Sequence, residues 1–252
     1  MRPGQEATLI WVARISIVAV LLLSWQVASG PLIDPMLIGT PLDTGHQLVE
    51  WISDGTLAAA ALATIHVVVL GLLLGSAAGI VIGLATGLSR VLAACLEPIL
   101  TILFALPKIA LVPLFILWFG LDSTERVVFT ASVVFFLVYL AVFTGVRRIP
   151  VSLDNSLRLI GATLPQRLVA LYIPGSIGWL IAGLRIAVPY AFLSAVGAEV
   201  VGAQEGLGYL IKTSAYSVDP NGMMAAILVL VVLAVGAMAA AEALDRVSRW
   251  RL

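Results

Sequence analysis

Along this chain, long apolar runs alternate with short polar breaks. About 20 apolar residues suffice for a helix to cross the hydrocarbon core of a bilayer. By that measure six spans are predicted, near residues 9–29, 58–88, 91–120, 126–146, 176–198 and 222–244. The third is irregular, because Glu97, Pro98, Pro107, Lys108 and Pro113 fall inside it. A kink or break is expected there, with packed neighbours satisfying the backbone groups that proline frees.

Within the second span, GLLLGSAAGIVIGLATG sets Gly71, Gly75, Gly79, Gly83 and Gly87 at strict four-residue spacing. On a helix these form one slowly drifting stripe, where a neighbouring backbone can approach closely. Tight helix packing is the expectation. A surface so free of side chains would also let helices slide during a conformational cycle.

The stretch PVSLDNSLRLIGATLPQRLVALYIP, residues 150–174, interrupts the apolar pattern. Leu153, Leu157, Ile160, Leu164 and Leu168 recur at helical spacing and define one apolar face, with Asp154, Asn155 and Arg158 off it. Ser152 is the expected N-cap, and Asp154 puts negative charge in the first turn. Gly161 fits a helix-ending position of positive φ. Thr163 and Pro165 fit the cap and first turn of a second helix leading to Pro174 and the fifth span. Periodicity leaves two readings open, a helix lying on the lipid headgroups or a plug for a groove on a cytoplasmic partner.

Composition settles the class. Of 252 residues, 61% are hydrophobic and 11% charged, and the mean hydropathy is +1.11. A soluble domain carries about a quarter charged residues. This chain could not cover a water-facing surface and reads as an all-α integral membrane protein. Its zero formal charge and pI near 6.7 argue against nucleic acid as a partner. The single cysteine, Cys95, excludes an internal disulfide and is expected as an inert packed thiol.

Basic residues set the orientation. Arg2 and Arg14 flank the first span, Arg90 follows the second, and Arg147, Arg148, Arg158 and Arg167 follow the fourth. Arg246, Arg249 and Arg251 follow the sixth, whereas the opposite loops hold Arg126 and Lys212 only. The positive-inside rule then places both termini, and the 150–174 loop, in the cytoplasm. The first apolar run also has features of a cleaved signal peptide. Retention is expected, because the later spans need a cytoplasmic N-terminus.

Motifs for catalysis are lacking. The sequence has no H-E-x-x-H, G-x-S-x-G or C-x-x-C, no phosphate-binding loop, and no metal-ligand cluster. The ionisable residues inside spans are Glu97, Lys108, Arg185 and Glu199, each a candidate functional site by default. Glu97 fits a local cap, Arg185 a snorkelling side chain, and Glu199 the outer interface. Lys108, among prolines, is the best candidate to line an aqueous path.

Three stretches carry a family resemblance. The segment G-A-x-x-x-x-x-L-x-x-x-x-I-P at Gly161–Pro174 resembles the conserved loop of binding-protein-dependent ABC importer permeases. LPKIALVPLFILWFGLDS (106–123) and AEVVGAQEGLGYLI (198–211) resemble the nitrate/sulfonate/taurine class of these permeases. Together they cover roughly residues 58–245 in consistent order. One departure stands out. Aligned on Gly161, the family's EAA triplet falls on Asn155, Ser156 and Leu157, so the acid is missing, although Asp154 lies one position earlier.

The resemblance implies a type I importer (MetI-like) permease fold of about six spans. Residues 1–57 would form an N-terminal span and outer loop, and 58–252 the permease domain. The loop near 152–164 would be the coupling helix, with Asp154, Asn155, Ser156, Leu157, Arg158, Ile160, Gly161 and Ala162 meeting the ATPase. It further implies a separate ATPase in two copies that binds ATP and Mg, so that this chain has no cofactor and no catalytic role. An external binding protein would deliver a small anion such as a sulfonate, taurine or nitrate, and a second permease copy would complete a homodimer in the inner membrane. Lys108, Arg185 and Glu199 are candidates for the path, and Gly202, Gly206 and Gly208 for an outer gate. The rival readings are an ion-coupled secondary transporter and a membrane enzyme.

Overall fold

The computed structural model describes residues 3–249, with side chains described for 9–243. Arg2 and Arg251 of the orientation argument lie outside the described residues, as do the side chains of Arg246 and Arg249. The described residues are mostly helical. Helix α1 spans Pro3–Ala28, and the short α2 (Pro35–Ile38) and α3 (Pro41–Ser53) lead into α4 (Thr56–Leu88). Then come α5 (Arg90–Ala105), a 3-10 turn (Lys108–Leu111), α6 (Val112–Phe119) and α7 (Ser123–Arg147). The polar stretch forms α8 (Val151–Leu159) and α9 (Leu164–Arg167), which runs through a π turn (Leu168–Tyr172) into α10 (Ile173–Gly202). Finally α11 (Leu207–Tyr216) and α12 (Pro220–Arg249) close the chain.

Among the described residues five helices are long and apolar enough to cross a membrane, and α5 with α6 makes a sixth if that bent pair is one span. The expected break in the third span is real. α5 and the 108–119 segment meet at 90°, because Leu106 and Pro107 are extended and end the first helix. Pro98 and Pro189 lie inside α5 and α10 without ending them.

The glycine stripe is the seam on which the core is built. Each of Gly71, Gly75, Gly79, Gly83 and Gly87 faces α7; the first four are buried and Gly87 is half-buried. Their partners are Thr130, Val134, Val138, Val142 and Val146, a matching four-residue ridge of β-branched residues at most 3% exposed. The pairing rises in step along both helices, so α4 and α7 run parallel. A Cβ on Gly79 would lie 2.9 Å from both Phe135 O and Tyr139 N, so backbone meets backbone with no room for a side chain. α10 packs on the same ridge, adding Ala187, Ala191, Phe192 and Ala195 to the core. These three helices form the rigid centre.

The periphery corrects two expectations. α5 touches the rest of the chain along one side, where Ala93 is buried, and Cys95 is exposed rather than packed. The helix after the fourth span begins at Val151 with Pro150 as its cap residue, so Ser152 lies inside it and caps nothing. The fixed φ of Pro150 already suits the entry to a helix, which moves the start two residues toward the N-terminus. α1 leans on the remainder through Trp25 Nε1, which donates to Ile38 O at 3.2 Å, and Ser29 Oγ, which donates to Gly39 O at 2.8 Å.

Candidate coupling segment and translocation path

The segment after α7 is built by local chemistry. α8 ends because Gly161 takes φ +80, a left-handed conformation that costs a side-chain-bearing residue free energy. Backbone bonds from Gly161 N to Arg158 O (2.9 Å) and Ala162 N to Leu157 O (2.9 Å) close the turn. Thr163 and Gln166 then form a capping box with Pro165 in the first turn, and α9 passes directly into α10. The glycine turn and second helix are as expected from the sequence.

The faces of α8 differ from expectation. The helix stops at Leu159, so the apolar row does not continue through Ile160 and Leu164 as one face. Leu153, Leu159 and Ile160 are exposed, and Asp154 is the buried residue. Its carboxylate accepts from Arg158 Nε at 2.8 Å and Arg167 Nη1 at 2.7 Å, and the Tyr172 hydroxyl also donates to it. Burial pushes the Asp154 carboxyl up, but the hydrogen bonds from Arg167, Tyr172 and Arg158 outweigh it and hold it below the usual carboxylate range. Asp154 is thus engaged inside the chain rather than presented outward. Asn155, Ser156 and Arg158 are exposed on α8, and Ala162, past the turn, is half-buried.

At the other end of α10 a second polar centre is enclosed. Glu199 is fully buried rather than interfacial. Its Oε2 accepts from Thr64 Oγ1 at 3.0 Å and from Gly208 N at 2.8 Å, while Thr64 Oγ1 accepts from Leu207 N at 2.9 Å. Gly206 (φ +102) and Gly208 let the chain pass against this carboxylate, and Gly202 lies against Ile116. Two residues that the sequence offered only as outer charges complete the clamp. Arg126, 3% exposed, donates to Glu205 Oε1 at 2.9 Å, and Lys212 Nζ donates to Ala203 O at 2.9 Å. The signal for Arg126 was its opposite charge to Glu205. Nothing in the sequence marked Thr64.

Between these centres, at the bend, Lys108 lines a cavity of about 250 Å³ with Phe129, Val133, Tyr190 and Ser194. Its Nζ donates to Phe104 O at 2.9 Å and lies 4.6 and 4.9 Å from the ring centres of Phe104 and Phe136. Arg185 is half-buried on α10 outside that lining, and Glu199 is not part of it. The structure therefore separates the three candidate path residues. No group of three metal-ligating side chains occurs among the described residues.

Residues 71–250 match the family model described as "Binding-protein-dependent transport system inner membrane component". The chain belongs to that family. This permease is 29% identical to the putative aliphatic sulfonates transport permease protein SsuC of Bacillus subtilis, over 88% of its own length and 81% of the relative's. It is 28% identical to the formylaminopyrimidine transport permease protein ThiX of Halalkalibacterium halodurans, covering 90% of each chain. Among solved structures, an inward-facing conformation of the MetNI methionine ABC transporter superposes with a TM-score of 0.67. That match covers 77% of the permease and 97% of the other chain at 18% identity. The fold is that of an ABC importer permease.

Proposed function

We propose that this permease is the translocation subunit of an ATP-driven uptake system for a small anionic solute. An external binding protein delivers the solute, and two copies of a separate ATPase bind ATP and Mg. Two permease copies enclose the path, both termini face the cytoplasm, and α8 docks on the ATPase. The observation that carries the reading is the build of α8. It projects from the helix core with Leu153, Leu159 and Ile160 uncovered, yet is tied by Asp154 to Arg167 just before α10. A partner that moves α8 therefore moves a span directly, the displacement needed to switch access from one side to the other.

For the solute, Lys108 supplies a cation on the wall of a largely apolar cavity, which suits an anion with a small hydrocarbon body. An aliphatic sulfonate, the class in the name of the Bacillus relative, has that shape. The Glu199 clamp holds the outer segment 203–211, where the binding protein or an outer gate would act.

Affinity purification from native membranes followed by mass spectrometry tests this. An ATPase should co-purify with the unaltered chain and be lost with Gly161→Trp, whose side chain cannot hold the left-handed turn. Intact, monodisperse protein without an ATPase in either sample would overturn the docking, and a gradient-driven transporter would replace it.

A further inference from the structure

We propose that the cavity between the ends of α4 and α7 and the underside of α8 binds the phosphate headgroup of an anionic phospholipid. The cavity measures about 290 Å³, and Arg90, Arg147, Arg158, Asp154, Asn155 and Tyr172 lie on its wall. Three of these residues are cationic and one is anionic. The anion is already satisfied, since Asp154 holds Arg158 at 2.8 Å and Arg167 at 2.7 Å.

Arg90 and Arg147 differ from Arg158. Among the described residues neither forms an ion pair, and Arg147 only faces the Phe143 ring, 5.4 Å from its centre. Two arginines without a counter-ion thus share one cavity, and Asn155 adds an amide. A guanidinium offers a planar fork of N–H donors that matches phosphate oxygens in pairs. The vacant positive charge and its geometry select a phosphate.

Position decides the source. The cavity opens where the membrane-spanning α4 and α7 end, and the next residue, Arg148, stacks over Trp179 at 4.7 Å. A cation on an indole at a helix end marks the depth of the headgroups. Basic pockets between spans on the cytoplasmic side take anionic headgroups. The cytoplasmic assignment rests on the orientation proposed above, but the chemistry of the cavity does not. A headgroup seated there would join α8 to the α4 and α7 ends, so the surrounding lipid would set how firmly the coupling helix is held.

The test is native mass spectrometry of the full chain released from nanodiscs of equal phosphatidylglycerol and phosphatidylcholine. The expected result is selective retention of phosphatidylglycerol. Arg90→Gln with Arg147→Gln should cut the preference by about twenty-fivefold, at roughly fivefold per basic residue. Arg148→Gln, which removes the same single charge as Arg147→Gln but lies outside the cavity wall, should leave it intact. Equal losses for Arg147→Gln and Arg148→Gln would overturn the site in favour of general surface attraction.

A second arm uses the unaltered chain and so does not depend on any variant folding. Millimolar inorganic phosphate should fail to displace the lipid. Displacement by phosphate would assign the cavity to a free anion and overturn the lipid. No preference between the two lipids would also overturn it. Because no ATPase is present, these outcomes are independent of the docking experiment.

Discussion

Arg167 Nη1 lies 2.7 Å from Asp154 Oδ1, thirteen positions earlier in the chain, and closes a loop around Gly161. Asp154 and Arg167 side chains are 9% and 12% exposed, so the pair is shielded from solvent. Arg158, the other partner, is 61% exposed. Breaking a shielded pair strands a charge, whereas an exposed helical pair contributes little. Asp154→Asn should therefore destabilise the permease by about 3 kcal/mol. Arg158→Ala should cost no more than about 0.5 kcal/mol. Thermal unfolding in detergent compares them, and equal effects would refute the brace.

The same carboxylate sets an acid limit. Its folded-state pKa is lowered, so the stabilisation is complete above the ordinary carboxylate range and disappears as pH falls through the lowered value. Unfolding profiles should show an acid limb that flattens in Asp154→Asn. An unchanged limb would mean that other carboxylates dominate it.

Gly79 sits between two backbone groups of α7 at 2.9 Å, while nothing lies within 4 Å of the Cβ position of Gly236. Gly79→Ala should cost about 1–3 kcal/mol through overpacking. Gly236→Ala, in open space on α12, should be neutral or gain about 0.5–1 kcal/mol from helix propensity. Denaturant titration of both variants reads the difference.

Thr64 Oγ1 both donates to Glu199 and accepts from Leu207 N. Thr64→Val removes both bonds and should cost about 1–3 kcal/mol. Thr64→Ser should restore most of it. Hydrogen exchange at the Leu207 amide is the direct readout, and unchanged protection in Thr64→Val would show that α11 is held by other contacts.

Among the described residues Lys108 is the only charged one on the cavity at the α5–α6 bend. If it meets the solute, Lys108→Met should lower ATP-driven uptake about tenfold, the worth of one charge-assisted hydrogen bond. ATPase co-purification should not change. Full uptake in the variant would remove Lys108 from the path.

Much of this architecture was legible in the chain. The spans follow from apolar length, the break at Leu106–Pro107 from proline, and the Gly161 turn from the residue type that tolerates positive φ. The glycine stripe announced a close contact, because small residues at helical spacing have few other uses in lipid. These are local properties, fixed by composition and spacing over one or two turns.

Tertiary structure decided which surface each residue met. Sequence spacing could not say that the stripe faces the ridge Thr130–Val146 of a parallel helix, because the partner lies some sixty residues away. It set Asp154 off the apolar face, yet burial depends on Arg167 and Tyr172 arriving from beyond the turn. It assigned Glu199 to the interface and Cys95 to the interior, and both were reversed. Thr64 and the α11 segment enclose the first, and among the described residues no second helix covers the other. Burial is a sum over neighbours that the folded chain supplies, so polarity and periodicity determined the elements while packing determined their roles.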